Sequence, residues 1–376
     1  MRLALLGAFP FPSPQGSQAY FAAQARALRA AGAPVTLVCY GSGAGGVELA
    51  GIEIVRAPRA FAPRGARSGP SAAKPLADAA LAATLLAAHR RRRFDAVLAH
   101  NAEAAAAGLA VRPLLRCPVI YVAHTLLGRE LESYAPAPLA AALRALGTRL
   151  DALLARRADA VVSLSRSAER ALGAAAPGRV ARIPPGLAPA APPDPAVVTT
   201  ACRRHGLAPG GFALYAGNLD GYQELAMLAA AAARVELPVV VATHAATSAP
   251  TPLRTVRVGD ADAARRLAFG AALALLPRRA PGGFPVKLLN YMEAGCAILA
   301  RASVADTLEH GRSAWLLADG AGPEDWAKAI AGLAADRAKA AGLGAEARRT
   351  LAREHDPAAL AKRTLDFVAG RVRPRR

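Results

Sequence analysis

The chain has 376 residues, with 47 Lys plus Arg against 27 Asp plus Glu, a formal net charge of +20, 53% apolar residues and only 5% aromatic ones. That length fits two ordinary domains, and so apolar a chain, with charged residues at 20%, is neither a disordered polyelectrolyte nor collagen-like. The positive excess admits a polyanionic partner, but its densest runs, His89–Arg93 and Arg371–Arg376, have no interleaved aromatic residues, so they read as solvated surface rather than a nucleic-acid face.

Along the chain, short apolar runs alternate with longer Ala-rich amphipathic segments, the pattern of βα units around parallel sheets. The first strand is expected at Leu3–Leu6, followed by a helix over Ser17–Ala31 and strands at Val35–Cys39 and Ile52–Val55. A helix over Ser71–Arg92, strands at Ala96–Ala99 and Val119–Val122, a helix over Pro138–Arg157 and a strand at Ala160–Ser163 complete the first half. The passage Ile183–Pro195 holds six prolines and reads as a linker, because proline removes backbone donors and blocks helix. Beyond it the alternation restarts with strands at Phe212–Ala216, Val239–Ala242, Thr255–Val258, Ala272–Leu276 and Ala297–Ala300, and three helical stretches after Pro323. The expected class is therefore α/β, with two doubly wound, Rossmann-like parallel-sheet domains facing across a cleft. The boundaries are 1–184, a linker over 185–195, 196–356, and a helix plus basic tail over 357–376 that crosses back to the first domain.

Neither a signal peptide nor a membrane span is expected. The early uncharged stretch is broken by Pro10, Pro12 and Pro14, and Leu237–Leu253 by Pro238, Pro250 and Pro252. Cys39, Cys117, Cys202 and Cys296 lie far apart without metal or redox spacing, which fits a reduced, cytoplasmic compartment.

Ligands of such sheets collect at the carboxyl ends of strands, and the candidate residues lie there. Gly16 and Ser17 open the first helix, where free N–H groups would meet a phosphate; a turn glycine and a serine N-cap explain them equally well. His124 follows the Val119–Val122 strand and could bond a substrate hydroxyl, or be satisfied inside the domain. His100, Asn101 and Glu103 share that kind of position with nothing else converging on them. Gly217 and Asn218 follow the Phe212–Ala216 strand, where the next helix offers its N-terminus to an anion or simply makes a tight turn. The richest stretch runs from Pro281 to Ala300. Gly282 and Gly283 lead into a helix, Lys287 lies near its start as an ammonium able to grip a diphosphate, Asn290 and Glu293 follow on the expected same face, and Gly295 ends it. Lys occurs at only five positions and Asn at three, so Lys287, Asn218 and Asn290 stand out against a composition drifting toward Ala, Arg, Gly and Pro. Asp260-Ala261-Asp262 spells a D-x-D metal motif but opens a helical stretch, and it reads as a cap. No other residues have metal-ligand spacing, and no G-x-S-x-G elbow occurs.

Taken together, the loop after strand one, His124, Ala158–Ser165, Ile183-Pro184-Pro185-Gly186, Leu214–Asp220 and Lys287–Gly295 resemble the GT-B glycosyltransferases of family 4, in the family's order over nearly the whole chain. The resemblance implies a retaining, metal-independent transferase without cofactor that moves a sugar from a nucleotide-sugar donor to an acceptor hydroxyl in polysaccharide or glycoconjugate synthesis. It implies that His124 and Lys287 are catalytic, and that Gly16, Ser17, Gly217, Asn218, Gly283, Phe284, Asn290 and Glu293 bind the donor. The acceptor would be a glycan or a lipid-linked molecule. The basic and apolar residues of Pro138–Arg157 could dock on the acidic inner face of a membrane, and a core helix with a snorkelling Arg face explains them at least as well. Two departures stand out. The family's paired glutamates are Gly282 and Asn290 here, and its diphosphate-clamping Arg and Lys after the Phe212–Ala216 strand are missing, with Asn218 in the Arg position. They keep open a catalytically impaired sugar-nucleotide-binding protein; a nucleotide-sugar epimerase on the same fold is a further alternative.

Overall fold

The computed structural model describes residues 1–13, 15–43, 49–62, 74–279, 283–305 and 307–372. Pro14, Pro281, Gly282, the expected helix start at 71–73 and the end of the basic tail lie outside the described residues.

The strands are β1 (Leu3–Gly7), β2 (Val35–Cys39), β3 (Glu53–Arg56), β4 (Ala96–His100), β5 (Val119–Ala123), β6 (Ala160–Ser163), β7 (Val180–Arg182), β8 (Ala213–Ala216), β9 (Val239–Thr243), β10 (Arg254–Arg257), β11 (Leu273–Leu276), β12 (Ala297–Arg301) and β13 (Trp315–Leu317). They form a seven-stranded sheet in the order β3-β2-β1-β4-β5-β6-β7 and a six-stranded sheet in the order β10-β9-β8-β11-β12-β13. Every pairing is parallel. The central strands are buried along their whole length, as expected when helices cover both faces and the sequence reads as an unbroken apolar run. β7 and β13, not expected from the sequence, are three-residue edge strands of intermediate burial, too short and too mixed to leave a pattern.

Contacts divide the chain into two compact units: Met1–Gly186 with Gly282–Phe284 and Pro357–Arg376, and Leu187–Pro281 with Pro285–Asp356. The first core is built on β1, β4, β5 and β6 and includes Leu6, Phe94, Val97 and Tyr121. Within this unit the final helix, Pro357–Ala369, packs on helix Gly16–Ala30, and Arg363 donates to the Arg182 carbonyl at 2.9 Å. The second core centres on Trp326, which is fully buried among residues such as Leu228, Leu275, Leu299 and Ile330; removing a ring so enclosed costs about 3–5 kcal/mol. Residues 183–194 form neither helix nor strand, and a helix opens at Pro195, where Asp194 accepts from the Ala196 N–H at 2.7 Å. Among the described residues no helix is long and apolar enough to cross a membrane.

Candidate active site

In the first unit, strand order reverses between β1 and β4, whose carboxyl ends pair Gly7 with His100. A Cβ at Gly7 would come within 2.7 Å of the Phe9 ring, which would have to shift. Phe9 and Phe11 meet Phe21 edge to face, with centroids 5.2 and 5.4 Å apart, and Phe21 stands against His100 at 4.8 Å. His100 ends β4 and His124 directly follows β5. Because these strands are neighbours, the imidazoles meet, with Nδ1 of His100 2.8 Å from Nε2 of His124. Tyr20 covers His124 with its ring centroid at 5.2 Å, and its hydroxyl accepts from Gln24 Nε2 at 2.9 Å. Burial pulls His124 down to about 3, and burial followed by the neighbouring histidine holds His100 well below the usual range. The pair is therefore uncharged at neutral pH, suited to orienting a hydroxyl and unable to hold a phosphate by charge.

Gly283 and Phe284 group with this unit, and Gly283 forms an isolated antiparallel bridge with Thr125. A Cβ on Gly283 would run into the His124 carbonyl oxygen, so the glycine secures the backbone next to His124 by close approach. Asp151 accepts from the N–H groups of Leu127 and Gly128 at 3.0 Å each, fixing the start of the helix that follows the His124 turn. Burial pushes its carboxyl up to about 6, although both hydrogen bonds oppose the shift.

The second unit has its reversal between β8 and β11. β8 leads into Gly217 at φ +153°, where a Cβ would strike the Lys287 ammonium. Lys287 opens helix Lys287–Ala294, donates to the Tyr215 hydroxyl at 2.8 Å and lies over the Tyr215 ring at 4.0 Å. One turn later the Tyr291 hydroxyl accepts from the Ala216 N–H at 2.8 Å, so residues 287 and 291 together bind this helix to the end of β8. Burial, reinforced by Arg278 and opposed by Asp220, draws Lys287 down to about 7. Arg278 follows β11 by two residues and stacks on the Tyr222 ring at 5.3 Å. Its turn is pinned on both sides: buried Arg301 donates to the Pro277 carbonyl at 3.3 Å, and the Arg279 N–H donates to the Tyr222 carbonyl at 3.1 Å. Glu224 joins the same turn through Arg301 Nε and Arg279 Nε, each at 3.1 Å.

The expected residues are distributed unevenly. Gly217, Asn218 and Lys287 come together, with the Asn218 carbonyl accepting from the Tyr215 hydroxyl at 2.8 Å and its side-chain oxygen accepting from Gln223 Nε2 at 2.9 Å. Asn290 lies one turn beyond Lys287 and is partly exposed. Glu293 does not share the face of Lys287: six residues on, at 3.6 residues per turn, its side chain is turned about 120° from Lys287 and about 60° from Asn290. It is 2% exposed, and its carboxylate accepts from Arg265 at 2.7 Å and from the Ala190 N–H at 3.0 Å. Gly16 is the first residue of its helix and Ser17 the second; the N-cap is Gln15, so the serine-cap reading is corrected. The helix after Gly217, Leu225–Ala232, has Glu224 as its N-cap residue, whose carboxylate makes no capping bond and pairs with Arg301 and Arg279. Asp260 does cap its helix, accepting from the Ala263 N–H at 2.7 Å. Asn101 caps helix Ala102–Leu115, accepting from the Ala104 N–H at 3.2 Å, and Glu103 pairs with Lys74 at 2.9 Å. Among the described residues no three His, Cys, Asp or Glu side chains gather as metal ligands would.

Sequence reasoning missed the His100 contact, Tyr215, Arg278 and Arg301. Strand-end position was the available signal for His100 and Arg278, because each lies at or just past the end of a strand beside the switch point.

Residues 15–186 match the family described as Glycosyl transferase 4-like domain, and residues 213–336 match Glycosyl transferases group 1. The chain belongs to the group 1 glycosyltransferases. Its two parallel-sheet domains have the GT-B fold. Sucrose-phosphate synthase from Thermosynechococcus elongatus superimposes with a TM-score of 0.81 at 17% identity, covering 98% of each chain. HepE from Anabaena, solved in complex with UDP-glucose, gives 0.74 at 16% identity, covering 98% of this glycosyltransferase and 100% of HepE. WaaG, a glycosyltransferase involved in lipopolysaccharide biosynthesis, gives 0.68 at 16% identity, covering 98% and 99%. No curated protein matches the sequence.

Proposed function

We propose that this glycosyltransferase moves a hexosyl or related residue, with retention, from a nucleoside-diphosphate sugar to a hydroxyl of a glycan or lipid-linked acceptor, in polysaccharide or glycoconjugate synthesis. The observation that carries the reading is the cationic cluster after β8 and β11, where Lys287 and Arg278 are held on Tyr215 and Tyr222 beside Gly217. A diphosphate is the ligand such a cluster suits, each charge-assisted bond contributing about 1.5–3 kcal/mol. The family's missing Arg and Lys then have a substitute drawn from other positions, with Arg278 supplying the second cation. UDP and UDP-glucose are the ligands with which HepE was crystallised, and a UDP-sugar is the donor we assign here.

In the proposed reaction, the bond from the anomeric carbon to the diphosphate breaks and its electron pair leaves on the phosphate oxygen. Lys287 and Arg278 stabilise that charge without a metal. The acceptor oxygen attacks from the same face and its proton passes to the departing oxygen. In this reading His124 bonds a sugar hydroxyl and Asn290 the ribose, and Gly16 and Ser17 are further donor-binding residues. Calorimetric titration with a panel of nucleotides and nucleotide sugars, coupled to detection of released nucleotide, tests the reading. Binding with turnover is expected; absence of any nucleotide-diphosphate binding overturns it. The amides Asn218 and Asn290, standing where the family has Arg and Glu, favour a second reading of binding without transfer, which the same panel identifies by affinity without turnover.

Helix Ala137–Arg157 exposes Leu139, Leu146 and Leu153, spaced seven residues apart on one line, with Arg149 and Arg156 alongside. We assign this face to peripheral docking on an acidic membrane surface, where a lipid-linked acceptor would reside, on the cytoplasmic side. Sedimentation with phosphatidylglycerol vesicles, lost in Leu146→Glu and at high salt, is the expected result; equal sedimentation with neutral vesicles would remove the assignment.

A further inference from the structure

The His100–His124 contact has a direction that can be deduced. A single proton lies between Nδ1 of His100 and Nε2 of His124 at 2.8 Å, on one nitrogen or the other. The far nitrogen of His100, Nε2, is buried and has no hydrogen-bond partner among the described residues. Around the His100 ring stand Phe21 at 4.8 Å and Tyr20 at 5.8 Å, with ring planes at 86° and 51° to it. If His100 carried its proton on Nε2, a buried N–H would be stranded against these rings. An orphaned donor of that kind is rarer in folded proteins than an acceptor with an unused lone pair. Placing the proton on Nδ1 strands only a lone pair. His100 then donates, His124 accepts at Nε2, and the neutral His124 ring must carry its own proton on Nδ1. Burial keeps both rings neutral, which supports the assignment of one proton to each. The backbone makes the arrangement rigid: His100 pairs with Gly7 and with Val122 in the sheet, and His124 is held through its carbonyl side by the close approach of Gly283.

We propose that His100 is a positioning residue that locks His124 in the Nδ1–H tautomer, so that His124 meets the donor sugar as a hydrogen-bond donor to a hydroxyl oxygen and not as a base. The proposal deepens, and rests on, the reading that His124 contacts the sugar. It also implies that the only nitrogen of His124 open to a ligand is Nδ1, since Nε2 is already taken by His100.

The test uses the full chain labelled with 15N-histidine. Two-bond 15N–1H correlation spectra report which ring nitrogen carries the proton, and the His124 signals are assigned by their loss in His124→Ala. The expected wild-type pattern for His124 is the Nδ1–H form; an Nε2–H pattern overturns the proposal without any variant being needed. In His100→Leu the His124 spectrum should move toward the Nε2–H form. Turnover with the best nucleotide sugar of the panel should fall roughly 10- to 100-fold, as expected when a reacting group is misoriented, while UDP affinity stays within about twofold. His100→Asn, whose amide N–H reaches the place of Nδ1, should restore the Nδ1–H form and most of the turnover. An unchanged tautomer and turnover in His100→Leu, or no rescue by His100→Asn with His124 still in the Nδ1–H form, would overturn the positioning role. Full turnover in His124→Ala instead overturns the underlying sugar contact, so the two failures are read from different variants.

Discussion

The two strand-end clusters have the same topological address and opposite electrostatics. At the β1/β4 reversal a pair of buried, neutral histidines is walled by Tyr20 and Phe21. At the β8/β11 reversal an ammonium and a guanidinium are stacked on tyrosines beside a glycine. Burial acts on both in the same sense, disfavouring the charged form, yet the outcomes differ because of the ordinary values from which the groups start. A histidine lowered to about 3 is neutral throughout the physiological range, whereas a lysine lowered to about 7 is still charged for much of it. One fold motif thus yields a neutral imidazole pair in one unit and a titratable cation in the other.

The contrast can be broken first at Lys287. Lys287→Ala removes the cation while the Tyr291–Ala216 bond still ties its helix to β8; turnover should fall by a factor on the order of 100 or more, and UDP affinity roughly 10- to 100-fold. Steady-state kinetics and calorimetry check both, and unaltered values would remove Lys287 from the site. His124→Ala should instead lower turnover by a factor on the order of 10–100 while leaving UDP affinity nearly unchanged, because a neutral ring has no charge to contribute; a parallel loss of UDP binding would erase the contrast between the clusters.

The pH dependence sharpens the same point. Below about 7 Lys287 is already an ammonium in the free protein. Above that, binding a diphosphate raises its pKa and must draw a proton from solvent, so affinity for UDP-glucose is full below pH 7 and declines as pH rises, by up to about tenfold per unit. The diphosphate ester itself does not titrate there, and Lys287→Arg should flatten the profile. Calorimetry in buffers of different ionisation enthalpy would show the proton uptake, and its absence would contradict a neutralised Lys287.

The smallest effect on function is expected at Glu293. Glu293→Gln weakens the Arg265 pairing and should destabilise the fold by about 1–3 kcal/mol, with UDP affinity unchanged. Denaturant titration and calorimetry separate the two, and a large loss of UDP affinity at wild-type stability would assign Glu293 to donor binding.

Much of this was legible beforehand. Strands such as Val35–Cys39 and Ala160–Ser163 have the expected bounds because a parallel strand buried on both faces is a nearly continuous apolar run. Gly295 ends its helix in the left-handed conformation that glycine adopts without strain, at φ +69°. Gly217 was visible as a permissive residue at a strand end, and Lys287 as a rare residue near a helix start. The face of the Lys287 helix was misread because spacing at three and six residues drifts around the axis, and only packing decides which residues point to β8.

The sequence by itself determined the βα alternation, all the strands but β7 and β13, the position of the Pro-rich passage and the family. These rest on local patterns: apolar periodicity, proline and glycine, and short motifs read in order. Tertiary structure alone decided the pairings: His100 with His124 across 24 positions, Lys287 with Tyr215 across 72, and Arg301 with Glu224 across 77. Such contacts follow from which strands become neighbours in a sheet, and the same pairing sets how far each group is removed from water, hence its charge. No local pattern carries that information, because burial and partner are properties of the assembled sheet and not of the residue.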